Sequence, residues 1–105
     1  MLIRITITQE AEDQLRALDV REQRFIEGAI VSRLGDQPTK PTKAIKELRP
    51  NPLARFELRV GEFRVLYNVD ETNAEVFILL VGRKVGNKLI VGGEEFHGHE
   101  SHPAS

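Results

Sequence analysis

The stretch from Arg55 to Arg83, RFELRVGEFRVLYNVDETNAEVFILLVGR, constrains this chain more than any other part of it. Phe56, Leu58 and Val60 alternate with Arg55, Glu57 and Arg59. After Gly61-Glu62, residues Phe63, Val65, Tyr67 and Val69 alternate with Arg64, Leu66 and Asn68. Alternation of period two on both sides of a two-residue loop is the pattern of a β-hairpin, and glycine at the first loop position suits a type II′ turn. The register follows. Val60 faces Phe63, Leu58 faces Val65 and Phe56 faces Tyr67 on one side of the sheet, while Arg59 sits opposite Arg64 on the other. Like charges directly across a ladder destabilise it. A bound polyanion would favour such a pair, which makes the arginine face a candidate phosphate site; the alternative is an ordinary solvated sheet face.

The rest of the chain supplies what this hairpin packs against. Leu2–Thr8 alternates Ile3, Ile5 and Ile7 with Arg4 and Thr6, a β-branched strand with one buried face. Thr8 is placed to cap a first helix with Glu10, Glu12 and Asp13 in its opening turn and Ala11, Leu15 and Leu18 as its apolar stripe. Asp19, with Glu22 three residues on, reads as the capping box of a second helix. Its stripe is Phe25 or Ile26, then Ala29, Ile30 and Leu34, ending at Gly35. Residues 37–53 hold four of the five prolines and form a connection, with a short helical turn expected at Lys43–Leu48. Ala74–Val81 is apolar on both faces, as in a central strand covered on both sides. A Gly86-Asn87 turn lets Leu89-Ile90-Val91 fold back as a short strand. The order β-α-α-β-β-β gives an α+β fold, a helical hairpin packed on one face of a small antiparallel sheet. Residues 1–93 are expected to form a single domain and residues 94–105 a flexible polar tail.

Composition narrows the chemistry. The chain has no cysteine, so disulfides, thiol nucleophiles and cysteine zinc sites are excluded. The N-terminal residues lack the regions of a signal peptide, and no apolar run approaches the ~20 residues that span a bilayer. A cytoplasmic protein without membrane contact is the expectation. The net charge of −1 hides an asymmetry, because residues 40–64 carry seven basic side chains against three acids. A local basic surface counts for more than the sum when the partner is a polyanion. His97, His99 and His102, beside Glu94 and Glu95, have no rigid element beneath them and read as a solvated tail rather than a metal site. The glycines make no phosphate loop, Ser32 and Ser101 lack triad partners, and Tyr67 falls on the core face. No cofactor or metal is expected.

The run Leu58-Arg59-Val60-Gly61-Glu62-Phe63-Arg64-Val65-Leu66-Tyr67, followed by the apolar Val76–Leu80 and then Val81-Gly82-Arg83-Lys84, resembles the RelE/ParE toxins of bacterial type II toxin–antitoxin modules. The resemblance covers roughly Ile3 to Lys84. It implies a RelE-like fold and, for RelE-like members, metal-independent cleavage of mRNA in the ribosomal A site by attack of the 2′-hydroxyl on the adjacent phosphate. Carried onto this chain, Arg64 matches the family's arginine on the middle strand, and Arg83 and Lys84 its basic pair. Arg55 and Glu57 fall where RelE-type enzymes carry two lysines, and no Tyr or His follows Lys84 at the family's distance. The expected catalytic residues are Arg64, Lys84 and Glu57, with Arg55, Arg59, Arg83, Lys46 and Lys88 gripping phosphates. Glu57 is either a general base or a carboxylate that neutralises the arginines. The implied partners are a cognate antitoxin and ribosome-bound mRNA. The alternative is a non-catalytic ParE-like inhibitor of DNA gyrase, or a member that has lost catalysis and only binds its partner.

Overall fold

Gly61 takes a φ of +60° and Glu62 stays out of that region, so the chain reverses within two residues. The strand pairs are those that the alternation predicts: Phe56 with Tyr67, Leu58 with Val65, Arg59 with Arg64 and Val60 with Phe63. The computed structural model describes residues 2–96. Its elements are β1 (Arg4–Ile7), α1 (Gln9–Arg16), α2 (Val20–Leu34), β2 (Ile45–Glu47), β3 (Phe56–Val60), β4 (Phe63–Asp70), β5 (Glu75–Val85), β6 (Lys88–Val91) and β7 (Glu94–Phe96). The strands from β2 to β7 lie in sequence order, each antiparallel to the next. β1 lies parallel to β5, beside its first half, and β6 takes the second half of the same edge. β5 is therefore the central strand, as its two apolar faces imply.

Both helices start where the sequence places their caps. Thr8 Oγ1 accepts the Ala11 N–H at 3.3 Å. Asp19 Oδ1 accepts the Glu22 N–H at 2.8 Å while the Asp19 N–H donates to Glu22 Oε1 at 3.4 Å, a complete capping box. Ala11, Leu15, Ile26, Ile30 and Leu34 pack on Phe56, Leu58, Val65, Tyr67, Val76 and Ile78 to form the main core. Of the two options for the α2 stripe, Ile26 is buried and Phe25 faces out.

Two expectations are corrected. Lys43–Leu48 is not a helical turn. Thr42 Oγ1 accepts the N–H groups of Ala44 and Ile45, each at 3.0 Å, and Ile45–Glu47 pair with β3 as strand β2. Ile45, opposite Leu58, enters the core, which outweighs any local helical preference. The boundary expected at Gly93 falls inside a hairpin: Gly92 and Gly93 both take positive φ and Glu94–Phe96 returns along β6. The remaining tail, with His97, His99 and His102, lies outside the described residues. The sheet face opposite the helices is itself only partly open. Leu66, Leu80 and Leu89 form a smaller apolar cluster with Ala54, covered by Leu48, Leu53 and Phe96. Asn51 holds that cover in shape: its Oδ1 accepts from the Leu53 and Ala54 N–H groups, and its Nδ2 donates to the Arg49 and Ala54 carbonyls. A bulge between β4 and β5, pairing Leu66 with Leu80 but Tyr67 with Ile78, keeps each side chain on its own face. Among the described residues no helix is long and apolar enough to cross a membrane.

Tyr67 ties the core to the connecting segment. Its ring stacks on Phe56 with centroids 5.4 Å apart, and its hydroxyl donates to the Pro38 carbonyl at 2.6 Å. Burial pushes the phenol above its ordinary range. The folded chain thus holds this proton more tightly than the unfolded one. The resulting stabilisation is complete below about pH 10 and is lost as the pH rises beyond it. Urea unfolding from pH 9 to 11 should show stability falling in the wild type, with most of that slope removed in Tyr67→Phe. Tyr67 is the chain's single tyrosine, so ultraviolet titration reads its ionisation directly.

Candidate functional site

Pleating and position along the strands sort the eight basic and acidic candidates into three groups. Lys46, Glu57, Arg59, Arg64 and Lys84 share the face opposite the helices, because Lys46 pairs with Glu57, Glu57 with Leu66, Arg59 with Arg64 and Arg64 with Gly82, two residues before Lys84. Four cations and one carboxylate thus share this face, with Arg59 and Lys46 beside Glu57 and Arg64 and Lys84 nearer the hairpin tip. Gly82 contributes no side chain beside Arg64, and a Cβ there would come within 2.9 Å of the Ile90 carbonyl oxygen.

The like-charged pair is relieved by divergence. Arg64 turns toward the hairpin tip, where its Nη1 donates to the carbonyls of Gly61 and Phe63, both at 2.8 Å. Arg59 leans the other way, with its Nε 3.8 Å from Glu57 Oε1. Neither arrangement uses all the donors of a guanidinium, which has five. Arg64 Nε is buried without an acceptor, and Arg64 forms no ion pair among the described residues. A buried donor left unpaired costs on the order of 1–3 kcal/mol. An anionic oxygen that draws the Arg64 side chain outward on this face would satisfy it with a charge-assisted bond.

Glu57 is 5% exposed, a charged side chain with apolar Leu66 across the ladder. Burial of a carboxylate demands a counter-charge. Arg59 supplies it, with Lys46 across the ladder on β2. Lys84 is half-buried and forms no ion pair among the described residues; its backbone N–H donates to the Glu62 carbonyl at 2.7 Å.

Arg83 and Lys88 are not part of this cluster. Adjacent residues on a strand point to opposite faces, so Arg83 and Lys84 cannot act side by side. Arg83 lies on the helix side, its guanidinium 4.7 Å from the Phe63 ring centroid and bonded to Glu22 (3.1 Å) and Glu62. Lys88 is on that side too, 3.8 Å from Glu95. Arg55 lies four residues from Arg59, about 13 Å along the strand. It is held by Glu47 at 3.2 Å and Glu71 at 3.6 Å. The alternation Leu80-Gly82-Lys84 against Val81-Arg83-Val85 carries this separation in the sequence. Among the described residues no group of three or more metal-ligating side chains comes together.

No protein-family model and no curated protein matches the sequence. Solved structures do match the fold. The chain is similar to the toxin–antitoxin complex RelBE2 from Mycobacterium tuberculosis, at 25% identity and a TM-score of 0.69, over 80% of this chain and 100% of that one. It is similar to the archaeal RelE–RelB complex from Pyrococcus horikoshii OT3, at 21% identity and a TM-score of 0.59, over 82% and 98% of the two chains. The isolated RelE toxin of E. coli matches at 23% identity and a TM-score of 0.59, over 79% and 85%.

The two members of the Arg83-Lys84 pair should therefore behave differently. Arg83→Ala is expected to lower the unfolding free energy by about 1 kcal/mol, combining a lost cation–π contact with solvent-screened ion pairs. Lys84→Ala should stay within about 0.5 kcal/mol of wild type. Urea denaturation of both variants measures the contrast.

Proposed function

We propose that this chain, which has the fold of the RelE toxins over four-fifths of its length, is a toxin of that kind: a cytoplasmic endoribonuclease that cuts mRNA on the ribosome and is held in check by a cognate antitoxin. The observation that carries the reading is Arg64, a guanidinium with a buried, unpaired donor on a sheet face that it shares with Lys46, Arg59, Lys84 and a single carboxylate, Glu57.

The chemistry follows from the types of side chain present. The 2′-hydroxyl of the substrate loses its proton to the Glu57 carboxylate as its oxygen bonds to the adjacent phosphorus. The bond from phosphorus to the 5′-oxygen breaks. The products are a 2′,3′-cyclic phosphate and a 5′-hydroxyl. Charge builds on the non-bridging oxygens, where Arg64 stabilises it as an oxyanion site does. An arginine does not give up its proton, so the donor to the leaving 5′-oxygen is the Lys84 ammonium. Arg59 and Lys46 hold flanking phosphates. The antitoxin, a small protein, covers this same face.

A second reading rests on the burial of Glu57 and its contact with Arg59. A carboxylate held this way serves as an internal counter-ion, and the chain would then bind without cutting, as a gyrase inhibitor or as an antitoxin-binding protein alone.

Primer extension on a translated reporter mRNA separates the two. Cuts at ribosome-occupied codons are expected on induction. Arg64→Ala should reduce them at least ~100-fold without loss of fold. Glu57→Gln should reduce them by about 10²- to 10⁴-fold under the base assignment. Growth arrest with intact mRNA and blocked supercoiling would move the assignment to gyrase.

A further inference from the structure

The tip of the β3–β4 hairpin is touched from two sides. On the sheet face opposite the helices, Arg64 Nη1 bonds the Gly61 carbonyl at 2.8 Å. On the helix side, the Phe25 ring closes over the same residue, its Cε2 lying 3.3 Å from where a Gly61 Cβ would stand. A side chain at this position would push the ring outward by a few tenths of an ångström, and the φ of +60° itself favours glycine. Phe25 nevertheless remains 55% exposed. Arg21 lies one turn earlier on the same side of α2, and Arg24 precedes Phe25. Both are exposed, and neither forms an ion pair among the described residues. The carboxylates at this tip, Glu22 and Glu62, are both engaged by Arg83. A solvated aromatic ring therefore sits beside Arg21 and Arg24, two cations with no ion-pair partner among the described residues, on the opposite side of the hairpin tip from Arg64, with Glu27 the one further carboxylate on this part of α2.

We infer that Phe25 is a stacking platform for an RNA base, and that Arg21 holds the phosphate beside that base. A strand whose phosphate lies at Arg64 continues over the hairpin tip onto α2. There the positive charge favours a polyanion and the ring offers a π-face that any base can cover. Basic side chains next to exposed aromatics are how proteins hold single-stranded nucleic acid without reading its sequence. An apolar protein partner would gain little from the arginines around the ring. The inference rests on the proposed RNA-directed function and adds to it a second contact on a different element.

The test measures binding of a labelled single-stranded RNA by fluorescence anisotropy, together with the same RNA made abasic. Phe25→Leu keeps the helix and the apolar surface but loses the π-face. It should weaken binding of the intact RNA by about 5- to 150-fold and leave the abasic RNA unaffected. Phe25→Trp should retain binding. The chain has no tryptophan, so the introduced indole is a sole reporter whose fluorescence should be quenched by the intact RNA. Arg21→Ala should weaken both RNAs. Wild-type affinity in Phe25→Leu, or equal losses on intact and abasic RNA, overturns the stacking platform. If Arg64→Ala still loses binding in that case, the RNA-directed function survives it. Failure of the wild type to bind RNA overturns the stacking platform, while the RNA-directed function stands or falls separately on primer extension from ribosome-bound mRNA.

Discussion

The pairing of β3 with β4 decides where every charge of the candidate site falls. A shift of one residue would send Arg59 and Arg64 into the core and Phe56, Leu58, Val65 and Tyr67 into water. Two things prevent it. Gly61 permits the two-residue reversal, and the stacked rings of Phe56 and Tyr67 close the other end of the ladder. Burying side chains of this size contributes about 1.5–3 kcal/mol each, which far exceeds the repulsion between two half-solvated arginines. The arginine pair is thus imposed by the hydrophobic face, and the two guanidinium groups separate toward Glu57 and the hairpin tip.

The same logic gives the site its polarity. On one face, side chains are used for packing, and the cations found there, Arg83 and Lys88, are paired with carboxylates. On the other, a small apolar cluster fills one part of the sheet and leaves a basic patch exposed in the remainder. A second core beneath a partly open surface gives that surface rigidity, and Asn51 fixes the covering loop through four hydrogen bonds. Positioned donors on a rigid base stabilise developing charge without reorganising.

Much of this was legible from the residues. The hairpin register, both helix caps, the central strand and the chain reversal after Val85 follow from alternation, capping chemistry and turn residues. Strand β2 was not, because three residues are too few to show a period, and only the cross-strand contact of Ile45 with Leu58 makes them a strand. The Gly92-Gly93 hairpin did carry a signal, a two-residue glycine turn between short runs, but polar surroundings concealed it. Among the candidate residues, the separation of Arg83 from Lys84 follows from strand geometry alone. The capture of Arg55 by Glu47 and Glu71 does not, since those acids lie on other elements.

The parallel placement of β1 also governs the order of assembly. Thr6 and Glu75, which hydrogen-bond at 2.6 Å, are 69 positions apart. The antiparallel strands from β2 to β7 are joined mostly by short turns and can zip locally, whereas β1 must close a loop spanning most of the domain. β1, which leaves the ribosome well before β5, is thus among the last of these strands to find its partner. Until β5 has been synthesised, Ile3, Ile5 and Ile7 have no sheet to join. From the emergence of β1 to that of β5 the nascent chain carries an unpaired, β-branched segment, and this window exposes it to pairing with other chains.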